Sequence, residues 1–477
     1  MRAIMVQGTS SWAGKSLLTT ALCRHFARQG LRVAPFKGMN MSNNARVVAG
    51  GEIGTAQYLQ ALAARVEPDV RMNPILVKPE TERTSQVIVC GVADPQLSAL
   101  DWRARAPHLW STIQESFVSL AEQYELIVIE GAGSPAEINL RDTDLANMPV
   151  ARLADAAVLL VTDIDRGGAL AHLYGTWALL DPADRARVRA FVFNRFRGDL
   201  ALLAPAPAQL EALTGVPTLG VVPTLVHGLP DEDGAAPARS RADGPRVAVV
   251  RYPTASNLDE FKLLEQVAQI VWAVHPADLD HADLIILPGS KHVGRDLAWL
   301  RASGLEDPVR RHVQAGRRLL GICGGLQMLG VRISDRGGRD HDSAGLGLLS
   351  LHTELGPTKH LAARTRSRFA TLETPWSELS GQGVVGYEIR HGHSEPTDGT
   401  HAALPDGLGW AQGPVLGIYL HGLLESPSVV HTILGAAPVR SLDQAIDQLT
   451  DEVMSGLDKS LLECIVGVTP QSEVAPT

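Results

Sequence analysis

The stretch MVQGTSSWAGKSLLTT, residues 5–20, decides the fold of the first half of the chain. A short apolar run leads into a glycine-bearing loop. Lys15-Ser16 then open a pattern with Leu18, Leu22 and Phe26 at i, i+4 and i+8. That order predicts strand, loop and helix. Backbone N–H groups at the start of such a helix carry the positive end of its dipole, so the loop is suited to an anion. The usual phosphate loop reads G-x-x-x-x-G-K-[ST]. Here Gly8 lies one residue too early for that spacing, and Thr9 stands where the first glycine belongs. On this reading Thr9, Gly14, Lys15 and Ser16 hold ATP, with Lys15 on the β- and γ-phosphates and the Ser16 hydroxyl on Mg²⁺. The bland alternative is a strand-to-helix turn without a ligand.

Working outward, further apolar runs at 126–129, 157–161 and 191–193 each end in polar or glycine-rich residues. Doubly wound α/β sheets bind ligands at the carboxyl ends of their strands, which is where these residues fall. Glu130, before Gly131-Ala132-Gly133, suits a Mg²⁺ ligand, or a solvated strand-end glutamate. Asn194 in FVFNRFRGD offers an amide to a purine edge, or makes a turn. Residues 227–245, HGLPDEDGAAPARSRADGP, break the rhythm, and it restarts at 247–250. The expected division is an ATP-binding domain at 1–228, a linker at 229–245, a second α/β domain at 246–438, a helical extension at 439–467 and a tail at 468–477.

A chain of 477 residues exceeds what one core organises. Its net charge of −9 argues against nucleic acid or an anionic membrane as partner, because phosphate backbones demand a clustered positive field. Cys23, Cys90, Cys323 and Cys464 make no metal-ligand or disulfide pattern. No signal peptide and no membrane-spanning run are evident, so a cytoplasmic protein is expected. Association into a homo-oligomer is left open.

The second domain carries its own chemistry in LLGICGGLQMLG, residues 319–330. An apolar run enters Gly321-Ile322-Cys323-Gly324-Gly325 and a helical pattern leaves it. A nucleophile held on a tight strand-to-helix turn needs small neighbours on both sides. The helix N-terminus behind Cys323 favours a thiolate nucleophile. Cys23, on the apolar face of the first helix, reads as a structural cysteine. His421, in VLGIYLHGLLES, follows a later strand and offers a base. Gly289, in LIILPGSKH, and Gly324 offer N–H groups for an oxyanion hole.

GICGGLQMLG, LPGSK and YLHG resemble the flavodoxin-like glutaminase domain of class I glutamine amidotransferases, in which a cysteine releases ammonia from glutamine. Many members carry a glutamate two residues after the histidine. Leu423 stands there, leaving Glu425, Glu388 or a backbone carbonyl to orient the ring. The first loop, G-T-x-x-x-x-G-K-[ST], resembles that of dethiobiotin synthetase, which uses ATP to activate a carboxylate. It is less similar to the partitioning ATPases, whose second lysine is replaced by Ser10. Together the halves describe an amidoligase.

Residues 1 to about 465 are similar throughout to the cobyric acid synthase family, most specifically over 33–80 and TSQVIVCG. That resemblance implies ATP, Mg²⁺ and glutamine, and a corrinoid substrate amidated at its b, d, e and g side chains. It implies Glu52, in GGEIG, as a second Mg²⁺ ligand. Arg390 in GYEIRHG departs from an expected histidine. The alternatives are a cobyrinic acid a,c-diamide synthase-like or other amidoligase, and an ATP-driven switch with a degenerate amidotransferase domain.

Overall fold

The structure, a computed structural model, describes residues 1–79, 84–230, 244–338, 340–397, 399–435 and 440–468. Nearly all of the expected linker and tail therefore lie outside the described residues. The chain forms two compact units, and their boundaries interleave. The first takes Met1–Ser42, Ala49–His227 and the chain from Leu442 onward; the second takes Asn43–Val48 and Gly228–Ser441.

In the first unit a six-stranded parallel sheet runs in the order Thr218–Pro223, Val188–Phe196, Ala157–Asp163, Arg2–Gly8, Leu126–Glu130, Val33–Phe36. Ile4, Met5, Val6 and the whole of 126–129 are fully buried, as expected for strands covered on both faces. The central strand, Arg2–Gly8, feeds the loop and the helix Lys15–Arg28. A smaller sheet, Met39–Met41, Ile75–Pro79, Ser85–Val89 and Val92–Asp94, and the helix Thr55–Ala63 add polar side chains to this unit.

The helices Leu442–Ser455 and Lys459–Val466 belong to the same unit. Ala445, Ile446, Leu449 and Val453 form the buried face of Leu442–Ser455. Asp443, Asp447 and Asp451 recur every four residues on that helix, opposite Arg24 and Arg28 of Lys15–Arg28. Arg24, with no exposed side-chain surface, pairs with Asp443 and Asp447; Arg28 reaches Asp447 at 2.6 Å and Asp451 at 2.5 Å.

The second unit is built on a seven-stranded sheet ordered Gln269–Ala273, Arg246–Val250, Leu284–Leu287, Arg318–Ile322, Val415–Ile418, Gly409–Gln412, His401–Leu404. The first five are parallel and the last two turn back as antiparallel strands. Cys323 and His421 stand just beyond the ends of neighbouring parallel strands. Among the described residues no helix is long and apolar enough to cross a membrane.

Candidate active sites

Strand register gathers the first site. Val6 pairs with Glu130, Gly8 with Val161 and Asp163 with Asn194, so the loop, Glu130 and Asn194 share one sheet edge. Gly14 sits at φ +97°, and a Cβ there would collide with the Asn194 amide, so glycine is required. That amide donates to Ala13 O at 2.8 Å, clamping the loop from the strand Val188–Phe196. Lys15 Nζ donates to Ser10 O at 3.1 Å and Gly133 O at 3.2 Å. The Thr9 hydroxyl donates to Thr162 Oγ1 at 3.1 Å, and its N–H to Val161 O at 2.9 Å.

Glu130 is completely buried. Its Oε1 accepts from Ser16 Oγ at 3.0 Å and from Lys37 Nζ at 2.7 Å, and its Oε2 from Gln60 Nε2 at 2.5 Å. Glu52 is also buried, and ion-paired with Lys78. Gln60 Oε1 and Gln57 Nε2 are buried with no hydrogen-bond partner. Buried polar atoms are nearly always satisfied, so such atoms mark capacity for a bound water, ion or ligand. Among the described residues no group of three or more His, Cys, Asp or Glu forms a metal cluster. The donor set that fits Mg²⁺ is hydroxyl and carboxylate, Ser16 with Glu130, both oxygen ligands.

Cys23 is buried beneath this site, and burial first, then the Glu130 charge, push its thiol well above the ordinary range. It is an inert core residue.

In the second unit Cys323 adopts φ 52°, ψ −106°, a conformation that non-glycine residues rarely take and that tends to be held at functional sites. Its N–H donates to Ile418 O at 2.7 Å, and the helix Gly324–Leu329 starts immediately behind it. A Cβ on Gly324 would lie 2.6 Å from Ser290 N, so the elbow closes only around glycine. Sγ reaches Ile389 O at 3.5 Å, and Gln327 Nε2 donates to His391 O at 2.8 Å, fixing the GYEIRHG strand alongside. The Arg390 guanidinium in that strand lies 4.3 Å from the Tyr419 ring centroid and donates to Glu388 Oε2 at 3.2 Å. Gly289 backs onto the imidazole: a Cβ there would come 3.1 Å from His421 Cε1. Cys323, His421, Gly289 and Gly324 are thus brought together.

His421 is oriented by Glu260. His421 Nδ1 and Glu260 Oε1 are 3.0 Å apart, and Glu260 Oε2 accepts from Gly422 N at 3.0 Å. Glu425 instead pairs with Arg46, and Glu388 with Arg390 and the Thr365 hydroxyl. Burial pulls the imidazole pKa down, but the Glu260 carboxylate and then Cys323, by charge and hydrogen bond, override it and lift it from 6.5 to about 10. The ring is therefore an imidazolium at neutral pH, with its proton available on the cysteine side. Tyr387 stacks on it at 5.3 Å and 21°, and the two residues exchange backbone hydrogen bonds at 2.9 and 3.1 Å.

Glu260 and Lys37 touch His421 and Glu130 and were not singled out by the sequence reading. Lys37 directly follows the strand Val33–Phe36, the same strand-end signal that singles out Glu130. Glu260 lies in a 3-10 run, Leu258–Gln266, with no local motif to mark it.

Residues 4–228 match the family described as CobQ/CobB/MinD/ParA nucleotide binding domain, and residues 246–429 the CobB/CobQ-like glutamine amidotransferase domain. A cobyric acid synthase of Variovorax paradoxus (strain S110) is 52% identical, covering 98% of this chain and 99% of its own. Those of Paracidovorax citrulli (strain AAC00-1) and Polaromonas sp. (strain JS666 / ATCC BAA-500) are 53% and 50% identical. They cover 96% and 98% of this chain, and 97% and 98% of their own lengths.

Proposed function

Because the chain belongs to the cobyric acid synthase family of glutamine-dependent amidoligases, we propose that it converts adenosylcobyrinic acid a,c-diamide to adenosylcobyric acid by amidating the b, d, e and g carboxylates. The observation that carries the reading is a buried Cys323–His421–Glu260 line on a chain that also holds a Lys15–Ser16–Glu130 phosphate loop.

At the first site ammonia alone cannot displace oxide from a carboxylate. Transfer of the γ-phosphoryl group from ATP to a substrate carboxylate oxygen releases ADP and leaves an acyl phosphate. Ammonia adds to its carbonyl, phosphate departs with the C–O electrons and one proton from the nitrogen, and an amide remains. Lys15 would leave its loop carbonyls to follow the charge on the transferring phosphoryl group. Asn194 clamps the loop through Ala13 O, and its amide would have to leave that carbonyl to reach a purine edge. Ser16 and Glu130 would hold Mg²⁺, with Glu52 exchanging its Lys78 ammonium for the cation. Bound there, the ion would neutralise charge on the β- and γ-phosphates.

At the second site the Cys323 thiolate attacks the side-chain carbonyl of glutamine. Gly289 and Gly324 N–H groups receive the oxyanion. The C–N bond breaks as His421 gives its proton to the leaving nitrogen, releasing ammonia and a glutamyl thioester. His421 then takes a proton from water, whose oxygen attacks the thioester; the C–S bond breaks, releasing glutamate and restoring the thiolate beside the protonated ring. Glu260 holds the ring in one orientation and stabilises its charged form throughout.

The test incubates purified protein with ATP, Mg²⁺, glutamine and the a,c-diamide. Glutamate release is followed, with mass spectrometry of the corrinoid. Stepwise exchange of hydroxyl for amino groups up to the fully amidated product is expected. Glutamate release without any change in the corrinoid would reject the substrate. Neither event would reject the amidoligase.

A further inference from the structure

Residues Asn43–Val48 belong to the amidotransferase unit, although the chain on both sides of them, Met1–Ser42 and Ala49–His227, belongs to the ATP-binding unit. The excursion delivers one charged side chain. Arg46 is 4% exposed and ion-paired with Asp259 and Glu425, and its guanidinium carbon lies 5.0 Å from the Tyr387 ring centroid.

Each partner adjoins a group of the glutaminase site. Asp259 is bonded to Glu260, the acid on His421. Tyr387 stacks on the His421 ring. Glu425 lies in the short turn that follows His421. Asn257 ties the same pieces together, donating to the Tyr387 hydroxyl at 2.7 Å from the foot of the segment that carries Glu260. Asp259 Oδ1 is buried without a hydrogen-bond partner, so Oδ2, held by Arg46, is its anchored oxygen.

A buried ion pair of this kind is weak evidence for stability, since desolvation offsets most of the attraction. It does restrict geometry. Arg46 joins the wall behind the acid to the aromatic face of the imidazole. Resting on the glutaminase reading above, we infer that Arg46 is a positioning residue of that site, supplied by a chain segment from within the ATP-binding half and holding Glu260 and Tyr387 in register on His421. Glutamine hydrolysis then depends on a side chain that the amidotransferase half, from Gly228 onward, does not itself encode.

The test uses the full chain with Arg46→Met and Arg46→Lys. Glutaminase kcat is expressed per Cys323 site titrated with the glutamine analogue diazo-oxonorleucine, so unfolded protein drops out of the ratio. Loss of alignment at a general acid–base is expected to lower kcat ~30-fold in Arg46→Met, with KM for glutamine within about twofold. Arg46→Lys, which keeps the charge on Asp259, should recover most of that loss. ATP-dependent amidation with ammonium in place of glutamine should be unchanged, within about twofold. An Arg46→Met/Asp259→Asn double variant, which removes the fully buried Asp259 charge and leaves only the partly exposed Glu425 carboxylate without its partner, should still show the loss. Unchanged kcat per titrated site in Arg46→Met, whatever its Tm, overturns the inference. So does full recovery in the double variant, which would reduce Arg46 to neutralising Asp259. Wild-type protein without glutamine hydrolysis would instead refute the underlying reading.

Discussion

Glu260→Gln preserves shape and removes charge at the residue that holds His421. The imidazole stands at about 10 against an ordinary 6.5. At about 1.4 kcal/mol per unit, that lift of about 3.5 units is worth ~5 kcal/mol, shared between Glu260 and Cys323. Glu260 is the foremost of the groups that raise it, acting against the burial that opposes a charged ring. With part of that lift expressed on the barrier, the variant should lose roughly a hundredfold in glutaminase kcat. The introduced amide keeps a hydrogen-bonding group toward Gly422 N, so the turn should persist and KM should move little. The assay is steady-state glutamate release between pH 6 and 10, as an order-of-magnitude window around the two limits of the imidazole. In the wild type the activity that needs a charged ring should extend toward pH 10; in the variant its alkaline limit should fall toward the ordinary histidine range. A variant that keeps kcat within about threefold, with an unshifted alkaline limb, would refute the role given to Glu260.

Other outcomes test the two sites and the fold. Cys323→Ala should abolish glutamine-driven amidation while ammonium still supports it, whereas Lys15→Ala should abolish both; equal loss in the two variants would contradict separate sites. Arg24→Ala should cost ~2–4 kcal/mol by urea denaturation, because it strips a fully buried side chain from between the helices Lys15–Arg28 and Leu442–Ser455. Asp443→Asn should cost under ~1 kcal/mol, because its carboxylate is mostly exposed. His421 also ties stability to pH: its folded pKa is raised, so its contribution is complete below the ordinary 6.5 and disappears as pH climbs through about 10. A His421→Gln variant should flatten that alkaline decline in a Tm series.

Wherever a strand runs directly into the site, the sequence was legible. Lys15 and Ser16, Glu130, Asn194, Cys323 and His421 each follow a buried apolar run, and parallel register then carries those runs to a common edge. Lys37 obeys the same rule and was readable by it. Glu260 was not, because it stands 161 residues from His421 in a segment without strand periodicity, and its partner is chosen by tertiary packing alone. Arg46 was hidden for a similar reason: nothing in SNNARVV says that these residues leave one unit for the other. The amphipathic helix at Leu442–Ser455 was recognisable by its period. Its destination was not, since an apolar stripe does not specify the surface that will cover it.

That destination has a consequence for synthesis on the ribosome. Arg24 emerges early and meets Asp443 only after another 419 residues have been added. Until then the first helix must carry a guanidinium and an apolar flank that nothing yet covers, through the making of the entire amidotransferase unit. Translation order and folding order are therefore uncoupled in this chain. A nascent chain released anywhere before Leu442 leaves the nucleotide-binding unit without the helix that covers Arg24.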